Sequence, residues 1–128
     1  MTIPARLIQT QQVHFIRKGI TFADAGKTIN IGAVPAGSII MRPMTGVFTS
    51  TAFNGTAGLQ TIGIGTSANA SLYGSALTMS AAAAFVPVAQ AVDNQVYADT
   101  YIAVAVNGTA STAGAAEIVV CFIPDIDG

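Results

Sequence analysis

The chain has 128 residues, 52% of them hydrophobic, with a mean hydropathy of +0.60; that is material for one domain with a real core and excludes intrinsic disorder. Five basic and six acidic side chains leave a net charge of −1, too few cations to neutralise many phosphates, so no nucleic-acid partner is expected. No run reaches the ~18–20 apolar residues of a membrane helix, MTIPARLIQT lacks a secretory leader's charged-then-apolar pattern, and the single Cys121 cannot close an internal disulfide.

Positions 1–10 read as a short N-terminal arm with Pro4 and the apolar Ile3, Leu7 and Ile8. Positions 11–128 then read as a single domain of short segments rich in Val, Ile, Thr and Phe. Strands are expected near 12–18, 20–23, 28–34, 37–49, 59–65, 70–79, 85–91, 96–106 and 116–123. Asp24-Ala25-Gly26 and Pro35-Ala36-Gly37 supply turn chemistry, as do Asn54-Gly55 and Asn107-Gly108. Pro43 and Pro87 mark edges or breaks, because proline has no N–H to give to a ladder. The alanines after Ser80 suggest one helical turn over Ser80–Ala84, and TASTAGAA at 109–116 suggests a mobile hairpin loop. Ile102, Val104 and Val106 share one face, whereas 118–123 is apolar on both and fits a strand covered on both sides. Eight or nine strands with turn signals every 8–12 residues predict an all-β fold, a β-sandwich or jelly-roll-like domain.

Charge placement adds a second inference. Charged residues make up only 9% of the chain, and none lies between Pro43 and Val92, against about 25% in an ordinary domain. Ser, Thr, Asn, Gln, Gly and Ala must therefore cover most of the surface. Charge depletion marks the centres of protein interfaces, so other chains are expected to cover much of this one.

A search for chemistry finds little that converges. His14 is the only histidine, beside Arg17 and Lys18, whose sign is wrong for orienting an imidazole as a base. Cys121 lies in the most apolar strand, where a thiol acts as a small hydrophobe. Asp24, Asp93, Asp99, Glu117, Asp125 and Asp127 fall at turns and near the C-terminus. The last two could face one way, but a calcium loop needs more oxygen donors. Gly63-Ile64-Gly65-Thr66-Ser67-Ala68 spells a dinucleotide fingerprint without the following helix or the acid ~20 residues on; such glycines fit close approach of another backbone instead. No catalytic residue, cofactor, metal site or small-molecule substrate is assigned. Tyr97 and Tyr101 would share a strand face, as a small sugar platform or as subunit anchors.

Two blocks carry a resemblance. Gly19-Ile20-Thr21-Phe22-Ala23-Asp24-Ala25-Gly26 precedes Ile31-Gly32-Ala33-Val34-Pro35-Ala36-Gly37-Ser38-Ile39-Ile40, and Ala52-Phe53-Asn54-Gly55 precedes Ile62-Gly63-Ile64-Gly65-Thr66. Residues 19–66 in this order resemble the small head decoration, or cement, proteins of tailed bacteriophages. The resemblance implies a non-enzymatic virion protein on the capsid exterior, a homo-oligomer (dimer or trimer) whose partner is the major capsid protein. It transfers no catalytic residues. Ile3, Leu7 and Ile8 would then grip a neighbour or the coat, or else cover the domain's own edge. The alternative is a tail-tip or head-fibre recognition module binding host-surface glycan or receptor.

Overall fold

The computed structural model describes residues 13–88 and 96–124. Among them nine strands form two antiparallel sheets packed as a β-sandwich: β1 (His14–Thr21), β2 (Thr28–Val34), β3 (Ile39–Ile40), β4 (Gly46–Thr51), β5 (Thr61–Thr66), β6 (Gly74–Thr78), β7 (Ala84–Pro87), β8 (Thr100–Val106) and β9 (Ala115–Ile123). The first sheet runs β1-β9-β4-β7, with β3 also paired to β9; the second runs β2-β8-β5-β6.

Alternation decides which side chains meet between the sheets. Ile102, Val104 and Val106 of β8 are 0–1% exposed, as are Ile62 and Ile64 of β5. From the other sheet Val47, Ile118 and Val120 close against them in the same core cluster, each fully buried. Each such side chain contributes about 1.5–3 kcal/mol by leaving water. The apolar run 118–123 is covered on both faces only in part: Ile118, Val120 and Phe122 are buried in the core, while on the outer face Cys121 is buried and Val119 and Ile123 are half-buried. Within its sheet β9 is flanked by β1 on one side and by β4 and β3 on the other.

Local sequence explains the joints. Lys27 N–H bonds the carbonyl of Asp24 and Ser38 N–H that of Pro35, with Gly26 at φ 84° and Gly37 at φ 86°; both are tight turns whose third residue needs positive φ. Several expectations are corrected. The segments 12–18 and 20–23 are one strand, because Gly19 continues the ladder opposite Glu117. Phe22–Asp24 is a 3-10 turn capped by Thr21, whose hydroxyl accepts from Ala23 N–H while Asp24 accepts from Thr21 N–H. The span 37–49 divides into β3 and β4 around a 3-10 turn at Arg42–Met44 that holds Pro43. The alanines after Ser80 form no helical turn: Ala83 takes φ 58° and β7 starts at Ala84.

The 109–116 stretch is not a hairpin, since it carries the chain from β8 in one sheet to β9 in the other. It is pinned by the chain itself: Asn54 Oδ1 accepts from Thr112 and Ala113 N–H at 2.9 and 3.1 Å. Ser111 Oγ donates to Gln60 Oε1 at 2.6 Å.

Thr49 faces the core at 1% exposure, and its hydroxyl has no hydrogen-bond partner among the described residues. Burying an unpaired hydroxyl costs about 1–3 kcal/mol. Thr49→Val keeps the β-branched shape and removes that cost, so the variant should be more stable by about 1 kcal/mol, read as a raised denaturant midpoint with unchanged slope.

Candidate interaction surface

Residues paired directly across strands share a face, so the register of the first sheet sorts its outward side chains into rows. One row reads Gly19, Glu117, Phe48, Phe85 across β1, β9, β4 and β7. The next reads Arg17, Val119, Gly46, Pro87, and beyond it Phe15 pairs Cys121. Ile39 beside Ile123 extends the face at the β3 end. Phe15, Phe48 and Phe85 are 55%, 40% and 41% exposed, so three aromatic side chains stand in solvent on three strands of one sheet. Arg17 Nε donates to Glu117 Oε1 at 2.7 Å, and this ion pair leaves the rows without net charge. The face is therefore aromatic and without net charge, with one exposed ion pair in its midst; aromatic residues and Arg are both enriched at interfaces.

The second sheet carries, at the end of β2 and the start of β8, a shallow groove lined by Ala33, Val34, Pro35, Asp99, Thr100 and Tyr101. Tyr101 stands 65% exposed at its edge, and Asp99 accepts from Ala36 N–H at 2.9 Å. Tyr97 is also exposed but precedes β8, which begins at Thr100; the expected shared strand face of the two tyrosines does not exist.

The other chemistry-bearing residues stay apart. His14 is exposed and stacks on Phe122 with ring centres 5.6 Å apart. Asp24 binds the Thr21 cap and lies 3.9 Å from Lys27, while Glu117 is held by Arg17. Asp93, Asp125 and Asp127 lie outside the described residues, and among those described no three metal-ligating side chains cluster. Gly63 and Gly65 do admit a backbone: a Cβ on Gly65 would lie 2.1 Å from Asn69 O and 2.6 Å from Leu72 N. The chain after β5 folds back over that strand, fastened where Tyr73 N–H meets Ile64 O at 2.9 Å. No helix among the described residues is long and apolar enough to cross a membrane.

Cys121 is fully buried, and burial pushes its thiol pKa up. Thiolate, not thiol, is the nucleophile. A disulfide-exchange reagent should therefore label Cys121 only at the rate of unfolding, and fast labelling in native buffer would contradict this placement.

No family model matches the chain, and no curated protein does. Among solved structures, a chain of the cyanophage Pam1 capsid asymmetric unit superposes with a TM-score of 0.65. The likeness is one of fold. Identity is 18%, and the superposition covers 89% of this chain and 86% of the other, so the two are also close in length.

Ile3, Leu7 and Ile8 lie outside the described residues; β1, from His14, takes up the chain that follows them. The aromatic face was missed by sequence reasoning. Phe15, Phe48 and Phe85 are 33 and 37 residues apart in sequence, and only strand order makes them neighbours. The available signal was weaker: an aromatic residue in each of three short strands whose immediate neighbours are the inward-facing ones.

Proposed function

We propose that this chain is a non-enzymatic virion structural protein that binds the outside of a phage capsid as a decoration, or cement, protein. The observation that carries the reading is the fold shared along nearly the whole chain with a capsid component of similar length. The charge-poor surface and the exposed aromatic face support it, because both suit a chain that works covered by others. Its partner is the major capsid protein, its place is the capsid exterior, and it acts as a homo-oligomer. A protein seated across several coat subunits adds interface area that must break before the shell does. Many copies make the effect multivalent, so each contact can be modest. Positions 1–10 form the gripping arm, with Ile3, Leu7 and Ile8 as its apolar contacts. Such an interface draws little on exposed charge and keeps its strength as salt rises.

Fractionating the source lysate on a density gradient tests this. The chain should band with particles at a copy number comparable to the coat protein. Deleting residues 1–9 should remove it from the particle band while leaving its unfolding curve unchanged. A few copies per particle, or full occupancy after the deletion, would sink the decoration role or the arm respectively.

The groove edged by Tyr101 favours a second reading, a recognition module for host-surface glycan. An exposed ring beside a shallow, mainly apolar cleft with the Asp99 carboxylate at hand can stack on a sugar face. Saccharide titration that shifts the Tyr101 resonances, and loses the shift in Tyr101→Ala, would put this reading first.

A further inference from the structure

Two of the five asparagines, Asn54 and Asn107, are followed by glycine. Lacking a Cβ, glycine leaves its backbone nitrogen free to approach the preceding side chain, and an asparagine amide offers that nitrogen a carbonyl carbon within reach. The two pairs are alike in sequence, but the fold treats them differently. The Asn54 amide is held by three hydrogen bonds: Oδ1 accepts from Thr112 and Ala113 N–H, and Nδ2 donates to Thr112 Oγ1 at 3.0 Å. Gly55 behind it is packed against Thr109 O and the Gln60 amide, which a Cβ would strike.

Asn107 is exposed just beyond the end of β8, on an open depression that it shares with Gly26, Gly58 and Leu59. Its amide makes one long bond, from Nδ2 to Thr61 Oγ1 at 3.4 Å, past the ~2.7–3.2 Å of an ordinary N–H···O bond. Among the described residues its Oδ1 accepts nothing, and the Gly108 N–H donates to nothing. The main chain on either side is anchored: Asn107 N–H bonds Thr61 O, and Thr109 O accepts from Thr56 N–H and Gln60 Nε2.

We propose that Asn107 is a site of spontaneous deamidation in the folded protein, and that the fold protects Asn54 from the same reaction. The Gly108 backbone nitrogen loses its proton to solvent and attacks Asn107 Cγ. The N–Cγ bond forms, the Cγ–Nδ2 bond breaks and ammonia leaves, giving a five-membered succinimide. Water then adds to either ring carbonyl and opens the ring to aspartate or isoaspartate. One water is consumed and one ammonia released, with no oxidant or reductant. Isoaspartate routes the main chain through the side-chain carbon and lengthens it by one methylene, two residues before the Thr109 carbonyl that anchors the crossing from β8 to β9. The change loosens the Gln60 junction with age and adds a negative charge to a surface that carries few.

The inference is independent of capsid binding and is tested on the isolated full chain. Aged folded in neutral buffer, the chain should convert Asn107 first: its peptide gains one mass unit and splits into aspartate and isoaspartate forms. Conversion should be faster as pH rises, because the attacking nitrogen must lose its proton. Asn54 should lag by at least about 10-fold, since each hydrogen bond broken before attack costs several-fold. In denaturing urea the two sites should react at similar rates, which assigns the difference to the fold. Asn107→Gln keeps the amide but closes the ring far more slowly. Its urea midpoint should hold on ageing, while that of wild type falls as isoaspartate accumulates. Equal rates in the folded chain, Asn54 ahead of Asn107, or aspartate formed without isoaspartate overturns the proposal. A wild-type midpoint that holds while isoaspartate accumulates overturns the loosening of the Gln60 junction.

Discussion

Gln60→Glu should cost about 3–5 kcal/mol at pH 7, a large share of the ~5–15 kcal/mol that holds a domain together. The Gln60 side chain is 1% exposed and ties the β4–β5 connection to the β8–β9 connection: its Nε2 donates to the carbonyls of Thr56 and Thr109 at 3.3 and 3.1 Å, and its Oε1 accepts from Ser111. Two turn glycines make the space, since a Cβ on Gly55 would lie 2.4 Å from Nε2 and one on Gly108 2.8 Å from Oε1. A carboxylate there would face two carbonyl oxygens with nothing to donate. Burial and those oxygens raise the folded-state pKa of the new acid above its unfolded value, so the native state holds the proton more tightly. Stability is then greatest below the unfolded pKa, ~4.3 for glutamate, and falls as pH rises through the folded pKa. Urea unfolding at pH 4 and pH 7 should show the variant closer to wild type at the lower pH. Gln60→Ala, which strands the same partners without a charge, should lose about 2–3 kcal/mol at both. Equal losses for the glutamate variant at the two pH values would show that the site admits water.

Gly65→Ala should destabilise by about 3 kcal/mol, at the upper end of ordinary overpacking. A methyl group there meets the Asn69 carbonyl and the Leu72 amide, which are backbone and cannot swing aside. The loop must lift, and with it go the bonds that fasten it to β5, from Thr66 N–H to Asn69 O and from Tyr73 N–H to Ile64 O. Gly19→Ala is the matched control, a glycine in a strand with open space above it among the described residues. It should leave monomer stability unchanged or raise it by about 0.5–1 kcal/mol, the intrinsic cost of strand-interior glycine. Denaturant midpoints of the two variants, measured together, separate steric demand from glycine's general effect. Similar midpoints would mean that the loop over β5 yields freely.

Much of the sandwich was legible because burial writes itself into alternation. Ile102, Val104 and Val106 face inward as their spacing says. The apolar run of β9 is covered on both faces only in part, with Ile118, Val120 and Phe122 in the core and Val119 and Ile123 half-buried outside. Gly26 and Gly37 turn where Asp24-Ala25-Gly26 and Pro35-Ala36-Gly37 place them. What the residues did not disclose is which strand lies beside which. Thr109–Ala116 looked like a hairpin because local composition cannot tell a turn within one sheet from a crossing between two. Its restraint by Asn54 and Gln60 spans about 50–60 positions. The alanines after Ser80 have helical propensity, but a helical turn there would prevent Phe48↔Phe85 and Thr49↔Ala84 from pairing, and tertiary pairing overrides propensity. The aromatic face was hidden for the same reason as the loop, since Phe15, Phe48 and Phe85 become neighbours only through the order β1-β9-β4-β7.

That strand order also imposes a schedule on synthesis. β9 is the last of the nine strands to be made, yet β1, β3 and β4 all hydrogen-bond to it. Thr21 waits for Ala115, its ladder partner 94 residues later, which at ~5–20 residues per second is about 5–19 s of translation. During that time β1 has no hydrogen-bonded neighbour in its sheet. A ribosome that stops before β9 releases a chain whose first sheet cannot close, and the quality control of the cell that makes it meets an open edge rather than a half-built domain.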